Sequence, residues 1–225
     1  MLIQNRLFEK EEPDRDAACI YLFCEGIKRE VEYFRFFQNK DSRLKVEVYE
    51  FSPDEDNSPK GLVNMARFCF STSQENHTPK YELREQDEVW IVLDSDLDKW
   101  DSRRTQIEAV KKFCSENKGW NLAESNPCFE VWLYYHQSNT KVSFEGDESC
   151  KNWKQLVNRE FKGGFDGRKH SIYIEAATKN ATLNYTADVN GNPQIGSTSV
   201  FHIGHSILKL LKPKIDKALK KMQTS

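Results

Sequence analysis

Residues Glu88-Val89-Trp90-Ile91-Val92-Leu93-Asp94-Ser95-Asp96-Leu97-Asp98 form an apolar run that ends in three acids on alternate positions. Trp90 to Leu93 lack the polar alternation of a one-sided strand, so the stretch reads as a central parallel strand covered on both faces. The carboxyl end of such a strand is where open α/β sheets hold their ligands. Asp94 and Asp96 sit two apart where the chain leaves the sheet, so both carboxylates can turn toward one small volume. Acids gathered in this way are costly unless a cation shares them, and Mg²⁺, or Mn²⁺ in its place, is the expected ion. Asp98 is the natural outer ligand.

Upstream, Ala17 to Cys24 is a second apolar run of strand length, stopped by Glu25-Gly26. Glycine permits the sharp turn from strand to helix, and Glu25 becomes another acid at a strand exit. Tyr33, Phe34 and Phe37 then follow at helical spacing, with Glu30 about one turn past Glu25 and able to face the same site. Lys45 to Phe51 alternates as a strand should, and Leu62, Met65, Ala66 and Cys69 mark a helix over 61–70. A polar loop over 71–80 leads to the central strand. Ile107, Val110 and Cys114 mark a helix over 103–117, and 119–123 is a short strand. The order β-α-β-α-β-α-β predicts an α/β fold with a mostly parallel, doubly wound sheet flanked by helices.

Around this core, residues 1–16 read as a flexible lead-in, 17–140 as the α/β unit, and 141–225 as a mainly helical extension packed on it. Ser125 or Asn126 before Pro127, with Glu130 following, reads as a helix start whose N–H groups could hold a phosphate. His136 falls on that helix, where histidines are packed more often than catalytic. Helices are expected over about 148–161, 171–183 and 200–222, the last rich in lysine and interrupted by Pro213. That lysine-rich stretch reads either as a solvated face or as a contact for a polyanion.

The formal net charge of -2 gives no whole-molecule argument for a nucleic-acid partner, so any such contact must come from local basic groups such as Lys28, Arg29 and Lys99. The six cysteines include no C-x-x-C pair, the first residues are polar and unlike a signal peptide, and no apolar run nears a membrane span. The expectation is a cytoplasmic protein with reduced thiols and no membrane contact.

Three blocks carry a resemblance: Cys24-Glu25-Gly26 with Glu30 and Tyr33-Phe34; Val92-Leu93-Asp94-Ser95-Asp96; and Ser125-Asn126-Pro127-Cys128-Phe129-Glu130-Val131-Trp132-Leu133 with His136. Together they resemble the RloB-like family of bacterial anti-phage defence proteins, a branch of the Toprim nucleases. The resemblance covers roughly 17–136 well and the C-terminal part weakly. It implies a Toprim-like fold and a Mg²⁺-dependent nuclease acting on RNA, tRNA included, or DNA in abortive infection. Glu25, Asp94, Asp96 and Glu30 would be the catalytic acids, and Glu25, Asp94, Asp96 and Asp98 the metal ligands. Lys28, Arg29, Lys99, Asn126 and His136 would position substrate. The family pattern has a threonine where Arg29 stands. An ATPase partner is also implied, since this chain has no G-x-x-x-x-G-K-[ST] loop of its own; a homo-oligomer is compatible with the pattern. Two other classes stay open: a non-catalytic module binding nucleic acid or a protein partner, and a metal-dependent nucleotidyl- or phosphotransfer enzyme.

Overall fold

A computed structural model describes residues 8–72, 76–95, 100–142, 144 and 149–224, without the side chains of 100–102. β1 (Ala18–Cys24) and β3 (Glu88–Asp94) lie side by side in the middle of a five-stranded sheet of order β2-β1-β3-β4-β5. β2 (Leu44–Tyr49) and β4 (Trp120–Asn126) pair parallel to them on either side. The two-residue β5 (Ser197–Thr198) closes the edge antiparallel to the end of β4, with Ser125 opposite Thr198. This α/β architecture agrees with the sequence reading, and β5 is the addition that periodicity could not give, being too short to show any.

Both faces of the central strands are buried, as their apolar runs require. Ile20, Leu22, Cys24, Trp90 and Val92 point into one core. Cys19, Tyr21, Phe23, Val89, Ile91 and Leu93 point into the other. α1 (Arg29–Arg35) covers the first face through Val31, Tyr33 and Phe34. α2 (Pro59–Phe70) and α3 (Trp100–Glu116) cover the second through Leu62, Ala66, Ile107 and Val110. The chain therefore steps from β1 outward to β2 over one face, then returns over the other face to place β3 on the far side of β1. That reversal puts a topological switch point between the carboxyl ends of β1 and β3.

The helices that follow complete the first face. α4 (Glu130–Tyr134) and α5 (Cys150–Glu160) bring Trp132 and Trp153 into the core. α6 (Gly167–His170) and a 3-10 turn at Ser171–Tyr173 lead into α7 (Ile174–Asn184). α8 (Phe201–Gln223) turns one apolar stripe inward through Ile203, Ile207, Leu211, Ile215 and Ala218, with Pro213 inside the helix rather than ending it. Some of its lysines have intramolecular partners: Lys212 lies 2.5 Å from Glu175, and Lys214 pairs with Glu11 and lies 3.3 Å from Asp41. The lead-in from Phe8 onward runs beside β2, its Asp14 N–H donating to Ser42 O at 2.7 Å. Among the described residues no helix is long and apolar enough to cross a membrane.

The segment before α4 corrects one expectation. Ser125 and Asn126 are the last residues of β4, the Asn126–Pro127 peptide is cis, and α4 begins only at Glu130. Asn126 therefore caps no helix, and its amide donates to Pro193 O at 2.7 Å. With five residues and no side-chain cap, α4 is no phosphate-binding helix end. The apolar run from Val131 to Tyr135 is buried in this short helix and its cap, which periodicity reads as one longer helix.

Where α7 crosses α8, a Cβ at Gly204 would overlap Thr178 Oγ1 and lie 3.3 Å from Trp132. Gly204→Ala gains about 1 kcal/mol of helix propensity but loses more to overpacking, about 1–3 kcal/mol. Urea unfolding should show a net loss of stability, recovered when Thr178→Ala is added; a Gly204→Ala protein more stable than the parent would mean that the helices separate freely.

Candidate active site

The turn after β1 is shaped around a carboxylate. A Cβ at Gly26 would overlap the Glu30 side chain, so glycine leaves the space into which that carboxylate folds back from the first turn of α1. Glu30 is 8 % exposed. Burial is the main cause that raises its pKa from 4.5 to about 7, and Glu130 and Glu25 push it further the same way. At the exit of β3, Asp94 is held well above the ordinary carboxylate range by burial and then by Glu30, Glu25 and Glu130. The Cys24 thiol beneath them is raised too, first by burial and then by Glu30 and Asp94. These groups share one small volume and repel one another.

Glu25 is the acid with a strong cation. Both of its oxygens accept from the Arg103 guanidinium at 2.6 Å, in the fork geometry that makes such pairs specific. Arg103 also donates to Asp94 O at 2.9 Å, and the Asp94 N–H donates to Glu25 at 3.2 Å. One residue of α3 thus fastens the ends of β1 and β3 together. Behind them the Ser95 hydroxyl donates to Glu124 at 2.7 Å, and Lys111 lies 3.2 Å from Glu124.

In front of the acids lies a cleft of about 600 Å³ lined by Asp94, Glu30 and Glu130, by the cations Lys28, Arg29 and Lys154, and by the Phe129 and Phe165 rings. It opens outside the carboxyl ends of β1 and β3, at the switch point. Its oxygen donors suit a hard divalent cation, which would relieve the repulsion that raises Glu30 and Asp94.

The pattern of the family described as RloB-like protein matches residues 20–204, from β1 into the first turn of α8. The chain belongs to the RloB-like family. No curated protein and no solved structure matches it.

In this RloB-like chain, then, Glu25, Glu30 and Asp94 come together, and Lys28 and Arg29 stand on the same cleft. Asp96, Asp98 and Lys99 lie outside the described residues. His136 and Asn126 are placed elsewhere. The His136 ring is buried against Trp132 and Phe165, within 3.2 Å of the Tyr33 hydroxyl and 3.1 Å of Trp132 O. Burial drives its pKa down to about 3, so it is a neutral core histidine. Two residues, Lys154 on the cleft and Arg103 behind its acids, escaped sequence reasoning as functional groups. Lys154 is an ordinary helix lysine in the string. Arg103 had a readable signal, since a cation in the first turn of a helix opposes the helix dipole and needs another partner.

Glu30 keeps its proton up to about 7 in the fold and loses it near 4.5 when unfolded, so metal-free protein loses stability as pH rises across that window. Glu30→Gln should remove the loss. In EDTA at about pH 8 the variant is expected to be more stable than the parent, by an amount on the order of 3 kcal/mol, with the two converging near about pH 4. Urea unfolding at both pH values checks this; parallel curves for the two proteins would show that Glu30 carries no raised pKa.

Proposed function

We propose that the cleft is the active site of a metal-dependent, Toprim-like nuclease that hydrolyses phosphodiester bonds in RNA, tRNA included, or in DNA. The observation that carries this reading is the meeting of half-buried Asp94 and buried Glu30 in one mutually repelling acid cluster on the cleft at the β1/β3 switch point. The cations on the same cleft add support, because Lys28, Arg29 and Lys154 can contact phosphates on either side of the bond to be cut. Membership of the RloB-like family supports the same reading.

A magnesium or manganese ion bound by Asp94, with Asp96 and Asp98 following it along the chain, would polarise a phosphoryl oxygen and offset charge on the leaving oxygen. Glu30 titrates near neutrality and carries the proton of the attacking water or the leaving group. Glu25, with both oxygens engaged by Arg103, orients Asp94 through its backbone N–H. Arg29 and Lys28 hold the substrate backbone, and the Phe129 and Phe165 rings offer faces on which an unpaired base can stack. The biological setting is anti-phage defence by abortive infection. A separate ATPase supplies the nucleotide-driven control for which this chain has no P-loop sequence.

The test is cleavage of a panel of tRNA, mRNA, single-stranded and duplex DNA with Mg²⁺, Mn²⁺ or EDTA. Metal-dependent cutting of one polymer is expected. Asp94→Ala should abolish it, and Glu30→Gln should slow it by about 10²–10⁴ while flattening the acid limb of the pH–rate profile. Consumption of a nucleoside triphosphate with every polymer left intact would replace hydrolysis by nucleotidyl or phosphoryl transfer. Unchanged cutting by Asp94→Ala would remove the site altogether.

A further inference from the structure

Beside the acid cleft, and sharing Glu130 with it, lies a second cluster with different chemistry. Cys128, Glu130 and Cys150 each turn one donor atom toward a common point, and the three atoms all lie within 4.8 Å of one another. Cys128 is 1 % exposed and Glu130 6 % exposed, while Cys150 is the first residue of α5 and half-buried. The Cys150 Sγ lies 3.8 Å from Glu130 Oε2, and Arg29 reaches Glu130 Oε1 only to 3.9 Å. Both separations are long for charge-assisted hydrogen bonds. A buried carboxylate is thus left with weak partners beside two thiols that form no disulfide.

We infer that Cys128, Glu130 and Cys150 form a binding site for a thiophilic divalent cation of the zinc class, separate from the all-oxygen donors of Asp94 and Glu30. Zn–S bonds of about 2.3 Å and Zn–O bonds of about 2.0–2.2 Å set tetrahedral ligand–ligand edges of about 3.5–3.8 Å. The 3.8 Å between Cys150 Sγ and Glu130 Oε2 is within about 0.2 Å of the sulfur–oxygen edge, about 3.6 Å, that those bond lengths give. On binding, each thiol releases its proton to solvent and donates a sulfur lone pair, while Glu130 gives one oxygen and water takes the fourth position. Two thiolates, a carboxylate and a divalent ion sum to one negative charge, which Lys154, one turn along α5 from Cys150, neutralises. The donor set separates the two sites by hardness: sulfur favours zinc-class ions and carboxylate oxygen favours magnesium. The remaining cysteines, Cys19, Cys24, Cys69 and Cys114, lie outside this cluster.

The test is an anaerobic titration of the reduced full chain with Co²⁺, a spectroscopic stand-in for Zn²⁺. A thiolate-to-cobalt charge-transfer band saturating at one ion per chain is expected, bleached by Zn²⁺ and indifferent to excess Mg²⁺. Cys150→Ser, at a half-buried helix start where the fold should tolerate it, and Cys128→Ser should each abolish the band, with circular dichroism confirming that both remain folded. Glu25→Gln should keep it. Absence of the band in folded wild-type protein, or its survival in the Cys128→Ser/Cys150→Ser double variant, would overturn the inference. Mg²⁺-dependent cleavage is read in a separate assay, so failure here and failure of the nuclease reading are distinguishable.

Discussion

Repulsion between the carboxylates at the ends of β1 and β3 is the constraint around which the rest of this structure is arranged. Burying one charge costs several kcal/mol, about what a single core side chain contributes, and gathering several acids adds to that cost. The fold meets it unevenly. Glu25 has a bidentate guanidinium, whereas Glu30 and Asp94 respond by holding their protons to higher pH. An apolar or paired arrangement at these positions would make a more stable protein. Retaining acids here gives up stability at the strand exits, a cost that natural proteins bear at sites kept for something other than stability.

Arg103 shows how closely that site depends on ordinary packing. α3 is seated on the sheet by Ile107 and Val110, on the face opposite α1. From the first turn of α3, Arg103 reaches the carboxyl ends of the two central strands, to Glu25 and to the backbone of Asp94. A shift of α3 by a fraction of a turn would part the guanidinium from the carboxylate and free both strand exits. The core beneath α3 therefore sets the spacing of the acids above it, although none of its apolar residues touches the cleft.

The legible parts of this molecule were those in which one residue's role is decided by its near neighbours in sequence. The central strands declared themselves because burial on both faces demands unbroken apolar runs, and Glu25 and Asp94 because each ends such a run. The illegible parts depend on partners far away along the chain. Arg103 meets Glu25 across 78 positions, and His136 meets Tyr33 across 103. The Ser125-Asn126-Pro127 step was misread for a local reason. The same small polar residues and proline that open a helix also suit the end of an edge-ward strand, and the choice was made by Thr198 pairing with Ser125. Nothing in the string before Ser197 announces that partner.

Glu130 stands between two kinds of chemistry, and its two oxygens keep them apart. Oε1 faces Arg29 on the side of the oxygen-rich cleft, while Oε2 faces the Cys150 thiol. Glu130 contributes to the raised pKa values of both Asp94 and Glu30, so any charge that settles on it is felt at the strand exits. A zinc-class ion bound there with loss of both thiol protons would leave the same single negative charge beside the cleft, so the field of Glu130 at Asp94 and Glu30 would be kept rather than withdrawn. The two ions would then neither exclude nor require one another, because the two thiol protons that leave balance the charge that arrives.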